Sequence, residues 1–148
     1  MSFSDPMRRF FLLFALCIGS GWQVAWADLV VIVNARSGVA AMTRNEVVHV
    51  FFGRNRLFFN GQEALPVDLQ GNHPLREQFY RLLVGKELAE VDAYWSRQQF
   101  TGRLNPPLRV KSSEEVLDWV ASRPGAIGFV ELSRADARVR VVHDFLSR

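Results

Sequence analysis

The chain has 148 residues, of which 49% are hydrophobic, and its formal net charge is +3. This length suits one domain with a single apolar core, and so small a positive charge does not indicate a nucleic-acid-binding surface. The only cysteine is Cys17, near the N-terminus, so the remainder of the chain cannot form an internal disulfide framework.

The first 27 residues have the organisation of a cleaved export signal. Arg8 and Arg9 provide a positive segment, and residues 10–18 form an apolar segment that is too short to span a bilayer. Residues 25–27 read Ala-Trp-Ala, which is a small-x-small cleavage pattern. The sequence therefore predicts a signal peptide over residues 1–27, a periplasmic location and a mature domain over residues 28–148. An uncleaved membrane anchor is the alternative.

The first half of the predicted domain contains two strands around one helix. A continuous apolar run at residues 29–33 is typical of a strand buried on both faces. Thr43 and Glu46 have the spacing of a capping box, which predicts a helix over residues 44–52. Gly53 then suits a left-handed helix end, and a second strand is predicted at residues 65–69.

The second half continues the alternation of helices and strands. Pro74 suits the first turn of a helix whose apolar stripe ends at Gly85, and another helix is predicted over residues 89–99. Strands are predicted at residues 108–110, 126–130 and 138–142, with a helix after a capping box at Ser112 and Glu115. This alternation predicts an α/β domain with a mixed or parallel sheet flanked by helices.

Two stretches of sequence also carry a resemblance to a known family. Residues 43–56 read TRNEVVHVFFGRNR, and residues 122–131 read SRPGAIGFVE. With the strand at residues 29–34, the turn at 60–61 and the segment 67–79, they resemble the second lobe of the periplasmic phosphate-binding protein of phosphate ABC transporters, in the type II periplasmic binding protein superfamily. The resemblance implies a single lobe of that fold and a non-enzymatic binding function.

The resemblance also implies where a ligand would bind. In that family, backbone N–H groups and hydroxyls at a helix N-terminus hold the anion, assisted by the helix dipole. The family's Ser-Gly-Thr motif falls at residues 73–75, which read His-Pro-Leu here. A weak site for phosphate or a similar small oxyanion is therefore expected at Gly71, Asn72, His73 and Arg76. The alternative is that Asn72 or His73 only caps the helix and that Arg76 points to water. Asp68 could also pair with Arg76 and cancel its charge.

A group of aromatic residues around the Gly53 turn allows two interpretations. Phe51 and Phe52 precede the turn, while Arg54, Arg56, Phe58 and Phe59 follow it. These rings can form a satellite cluster beneath the loop at residues 55–61. They can also form an exposed apolar patch rimmed by arginine, which would bind a membrane transporter or a sensor protein.

No constellation of residues indicates catalysis, a cofactor or a metal. His49, His73 and His143 lack metal-ligand spacing, and the sequence contains no Gly-x-Ser-x-Gly elbow, Walker loop or dinucleotide fingerprint. The sequence therefore predicts no catalytic residues and a non-enzymatic binding protein. The alternative is a partner-binding or sensory module that kept the fold and lost the ligand site.

The export signal gives the first testable prediction. We expect the exported protein to begin at Asp28, because cleavage should follow the small-x-small pattern. Intact-mass measurement of the protein from the periplasmic fraction checks this. Recovery of the full chain, Met1 included, in the membrane fraction would contradict it.

Overall fold

The computed structural model describes residues 26–146, so the predicted signal peptide lies outside the described residues except for Trp26 and Ala27. The elements in chain order are β1 (Leu29–Asn34), α1 (Arg44–Phe51), β2 (Leu65–Leu69), α2 (Pro74–Val84), α3 (Leu88–Phe100), β3 (Leu108–Val110), α4 (Ser113–Ser122), β4 (Ala126–Glu131), a 3-10 turn (Leu132–Arg134) and β5 (Val139–Asp144). Within the described range, no helix is both long and apolar enough to cross a bilayer.

The five strands form one mixed sheet in the order β3-β2-β4-β1-β5. Strand β2 pairs in parallel with β3 and β4, whereas β1 is antiparallel to both β4 and β5. The predicted α/β class and mixed sheet are therefore confirmed. Because β2, β3 and β4 run the same way, they define a carboxyl edge, where they end, and an amino edge, where they begin.

Strand β1 is buried along its whole length, as its continuous apolar sequence predicts. Its last residue, Asn34, is polar and only 4% exposed. The Asn34 side-chain Nδ2 donates to the carbonyl oxygens of Val120 at 2.8 Å and Ala121 at 3.0 Å, near the end of α4. This pairing satisfies the buried amide and fixes α4 against the centre of the sheet.

Helix α1 begins where the sequence predicts and ends at Phe51, one residue before the predicted end. The backbone N–H of Glu46 donates to Thr43 Oγ1 at 3.3 Å, and the N–H of Thr43 donates to Glu46 Oε2 at 2.7 Å, which completes the capping box. Phe52 caps the other end, and Gly53 follows it with a φ of 71°. The second expected box is only half formed, because the Glu115 carboxylate accepts from Lys111 N rather than from Ser112.

The two stretches that carry the family resemblance meet in the core through aromatic rings. Phe51 of α1 lies edge-on to Phe79 of α2, with ring centroids 4.9 Å apart. Phe79 in turn stacks on Phe129 of β4 at 3.9 Å. All three rings are fully buried. The stack therefore joins two helices to a central strand.

Strand β5 differs in extent from the prediction. The alternation of arginine and valine indicates a strand over residues 138–142, but β5 runs from Val139 to Asp144. Backbone pairing with β1 continues through Val31 opposite His143 and Val30 opposite Asp144. The ladder with β1, rather than the side-chain pattern, sets where β5 ends.

Gly53 supplies a prediction about stability. We expect Gly53→Val to lower the free energy of unfolding by about 1–2 kcal/mol, because a β-branched residue resists positive φ. A Cβ at this position would also lie 3.3 Å from both Trp95 Cη2 and Leu104 Cδ1. Chemical denaturation of the variant measures the change.

Gly102→Val is the matched control for that substitution. Gly102 has a φ of 66°, and a Cβ there would meet no atom within 4 Å. The Gly102 variant should show the backbone cost alone, and the Gly53 variant should be less stable than it. An unchanged stability for Gly53→Val would contradict the interpretation of the turn.

Candidate functional site

The expected ligand site lies at the carboxyl edge, in the loop between β2 and α2. Gln70 N donates to the Val110 carbonyl at 2.9 Å, and Gly71, with a φ of 62°, turns the chain toward α2. Gly71 and Asn72 are exposed, and His73 is half-buried. Within residues 26–146, the backbone N–H groups of Gly71 and Asn72 have no hydrogen-bond acceptor, whereas the turn at residues 71–72 directs the N–H of His73 to the carbonyl of Gln70. The loop therefore presents adjacent backbone donors.

The first turn of α2 itself offers little to an anion. His73 Nδ1 accepts from the backbone N–H of Leu75 at 3.1 Å, so the histidine caps the helix. Pro74 occupies the first helical position and has no N–H. The free donors consequently lie in the loop before the helix rather than within it.

Arg76 is fully buried, so the interpretation in which it points to water is wrong. Its Nε lies 3.1 Å from Asp68 Oδ2, and its Nη2 lies 2.8 Å from Asp92 Oδ1. Its Nη1 donates to the Gly71 carbonyl at 3.0 Å. The structure thus shows the pairing with Asp68 that the sequence left open, and Arg76 fixes the Gly71 loop from beneath instead of facing a ligand.

Sequence reasoning missed the other members of this group. Asp92 lies on α3, sixteen residues after Arg76, and its carboxylate also accepts from Arg109 Nη2 at 3.1 Å. Tyr80 donates its hydroxyl to Asp68 Oδ2 at 2.9 Å. Only the spacing of Tyr80 from Arg76, one helical turn, was visible in the sequence. Asp92 and Arg109 come together through tertiary packing alone.

Burial and pairing shift the protonation equilibria of this group. Burial raises the pKa of the Asp68 carboxyl group, and the positive charge of Arg76 opposes that rise. Burial, followed by the charge of Asp68, raises the pKa of Tyr80 well above its usual value, so its hydroxyl remains a donor. For Asp92, the hydrogen bonds from Arg76 lower the pKa of the carboxyl group.

A hollow of about 510 Å³ adjoins the start of α2. Its walls include His73, Arg81, Glu77 and Glu131. Arg81 Nη2 lies 2.9 Å from Glu77 Oε1, and Glu131 Oε2 lies 3.3 Å from Arg134 Nε. Because two carboxylates line the hollow, it disfavours an anion, and the face of the loop at residues 71–73 is the better place for one.

The expected partner-binding residues are only partly exposed. Phe58 is only 4% exposed, because the turn through Gly61 folds this segment back on itself. The backbone N–H of Phe58 donates to the Gln62 carbonyl across that turn. Phe58 therefore does not belong to a surface patch, contrary to that interpretation. Phe59, by contrast, is 71% exposed. Arg54 and Arg56 are exposed, and neither forms an ion pair within the described part of the chain.

Metal binding has no support in the described region. Among residues 26–146, no three His, Cys, Asp or Glu side chains are grouped so that they could hold a metal ion.

The buried ion pair leads to a prediction about stability. We expect Arg76→Met to lower the free energy of unfolding by about 3–5 kcal/mol, because the Asp68 carboxylate would be left buried without its partner charge. Arg81→Met is the control, since the ion pairs of Arg81 are exposed and contribute at most about 1 kcal/mol. Equal losses in urea denaturation of the two variants would contradict this account.

Asp92 gives a prediction about pH. Its pKa is lower in the folded protein than the usual 3.8, so its carboxylate stabilises the fold above that pH and loses this effect as the pH falls below it. The difference in melting temperature between the wild type and Asp92→Asn should therefore be large near neutral pH and shrink below pH ~4. Asp118→Asn, at an exposed ion pair 3.5 Å long, is the control. A difference that does not depend on pH would contradict the prediction.

Comparison with known proteins places the fold. No protein-family model matches the sequence, and no curated protein matches it. Solved structures do match. An ABC-type phosphate transport receptor from Vibrio cholerae has a TM-score of 0.62 and 18% identity, with 79% of this chain and 46% of that chain covered.

Two further structures agree with the first. A Clostridium perfringens protein with bound phosphate, assigned as a phosphate ABC transporter substrate-binding protein, has a TM-score of 0.63 and 15% identity, with 78% of this chain and 44% of that chain covered. PstS from Borrelia burgdorferi has a TM-score of 0.60 and 14% identity, with 78% of this chain and 46% of that chain covered. This chain spans less than half the length of each. It has the fold of part of a phosphate ABC transporter substrate-binding protein, as the sequence resemblance predicted.

Proposed function

We propose that this chain is an exported, non-enzymatic binding protein that holds phosphate or a similar small oxyanion weakly at the loop of residues 71–73. The observation that carries the proposal is the pair of adjacent backbone N–H groups at Gly71 and Asn72, which have no acceptor among the described residues. Successive N–H groups around a left-handed residue form a concave donor site for anions. The fold likeness to a protein with bound phosphate supports this choice of ligand.

Arg76 contributes to this site by positioning. Its Nη1 donates to the Gly71 carbonyl, so the loop is held in place from the core. Its charge is largely neutralised by Asp68 and Asp92, which lie on either side of the guanidinium. The anion is therefore held by backbone dipoles near water, where electrostatic attraction is screened, and we expect a Kd on the order of millimolar.

The location and the partner belong to the same proposal. The charged, apolar and small-x-small segments of residues 1–27 support export to the periplasm. The relatives in fold are components of phosphate ABC transporters, which supports a membrane transporter or a sensor protein as the partner of this chain.

Amide NMR during a phosphate titration tests the site. We expect saturable shifts at residues 71–73, with sulfate acting similarly and chloride at equal ionic strength having no such effect. Gly71→Ala should weaken binding at least threefold, because alanine resists the φ of 62° that orients the donors. Gly102→Ala, at a φ of 66° far along the chain, carries the same backbone cost and should leave binding unchanged.

Failure of that titration has a definite meaning. If about 50 mM phosphate produced no shifts at residues 71–73, oxyanion binding there would be ruled out at any useful affinity. An equal loss of phosphate affinity in Gly71→Ala and Gly102→Ala would also contradict the assignment of the donors to this loop.

The second candidate function is a partner-binding module that has lost the ligand site. The observation that favours it is the loop after α1, where Leu57 is 48% exposed and Phe59 is 71% exposed. Arg54 and Arg56 lie on the same segment, as in the arginine-rimmed apolar patches of protein interfaces. Two results together would favour this function. The first is a phosphate titration without shifts, and the second is specific photo-crosslinking of a partner protein to a probe at position 59 in the periplasm.

A further inference from the structure

A cleft of about 440 Å³ opens at the amino edge of the sheet, at the opposite end from the loop of residues 71–73. The first residues of the three parallel strands line it: Leu65 of β2, Leu108 of β3 and Ala126 of β4. From Leu65 to Leu69, strand β2 spans about 13 Å. The cleft and the proposed oxyanion site are therefore separate places in the fold.

Two prolines explain why the cleft is open. Strand β3 joins β2 at Leu108 opposite Val67. Continuing that register backward would place Pro107 and Pro106 beside the first two residues of β2, but proline has no N–H to donate to a ladder. The pairing stops, and Leu65 and Leu108 each remain 42% exposed at the mouth of the cleft.

The cleft carries a positive charge. Arg56 and Arg123 line it, and neither forms an ion pair with another residue of the described range. The Arg123 guanidinium carbon lies 3.6 Å from the centroid of the Trp119 ring, which holds the group over an aromatic wall. Glu63 is the single acidic residue among the lining side chains.

The ring of Trp95 forms part of the floor of the cleft. Trp95 is 2% exposed, and its indole Nε1 finds no acceptor in the part of the chain that the structure describes. The Nε1 atom itself is shielded from solvent, so a molecule in the cleft contacts the ring of Trp95 rather than its N–H. Gly53 lies beside Trp95, and a side chain there would crowd the same floor.

We propose that this cleft binds a small monocarboxylate with an apolar or aromatic body. Arg123, assisted by Arg56, pairs with the carboxylate, and the body packs against Trp119 and the prolines. The volume lies within the range of small-molecule sites, and its mixture of apolar walls with few polar groups is typical of them. The excess of arginine over acid selects an anion over a cation.

The test uses 3-phenylpropanoate as the probe and 2-phenylethylamine as a control with the same ring and the opposite charge. The indole N–H signals of Trp95 and Trp119 are followed by NMR in the purified protein. We expect both signals to shift with the acid, with a Kd on the order of 1 mM, and to show no saturable shift with the amine.

Variants assign the effect to the named side chains. Arg123→Gln should weaken binding of the acid at least fivefold, whereas Arg140→Gln, at an exposed position on β5, should not change it. Equal binding of acid and amine, or an unchanged affinity in Arg123→Gln, would overturn the proposal.

A carboxylate can come from a free acid or from the C-terminus of a peptide. N-acetylphenylalanine, which imitates a peptide C-terminus, distinguishes these sources when it is compared with 3-phenylpropanoate. Tighter binding of the acetylated amino acid indicates a peptide end, and tighter binding of the simple acid indicates a free metabolite. The phosphate titration at residues 71–73 is independent of both results.

Discussion

The buried guanidinium of Arg76 is the constraint on which much of this structure depends. A charge in the core requires partners, because removing it from water costs several kcal/mol. Asp68 on β2, Asp92 on α3 and the Gly71 carbonyl supply these partners. Because Arg76 itself lies on α2, the group fixes α2, α3 and the loop between β2 and α2 relative to one another. An apolar side chain would fill the space without specifying these directions.

In this arrangement Arg76 holds the loop of residues 71–73 in its conformation but does not offer its charge to a ligand. In the related fold an anion is expected at the start of a helix, but here the nearest arginine is already occupied by carboxylates. What faces solvent is backbone, oriented by Gly71 and supported from below. Such a site is suited to loose and exchangeable binding, since its attraction comes from dipoles near water rather than from a closed ring of charges.

Local chemistry explains why so much of the fold could be predicted from sequence. The capping box at Thr43, the left-handed Gly53 and Pro74 act within one turn of chain, and each lies where it was expected. The buried strand at residues 29–33 was visible because no polar residue interrupts it. These signals need no knowledge of distant residues.

Contacts between distant residues explain what the sequence did not reveal. Asp92 reaches Arg76 only after α3 has packed beside α2, and the burial of Phe58 depends on a turn that folds its segment inward. The cleft at the amino edge likewise arises from the register between β2 and β3, in which two prolines face residues that they cannot pair with. Periodicity and capping patterns contain no information about contacts between residues that are far apart in the sequence.

The position of β1 has a consequence for how this chain acquires its structure. It is the first strand in the sequence but lies between β4 and β5, and Leu29 pairs with Glu131, 131 − 29 = 102 residues later. Contacts between such distant residues slow folding, because a long loop must close before they form. The sheet cannot be completed until β5, at Val139–Asp144, has emerged from the ribosome. Strand β1 therefore stays without either of its neighbours in the sheet until β4 and β5 have been synthesised.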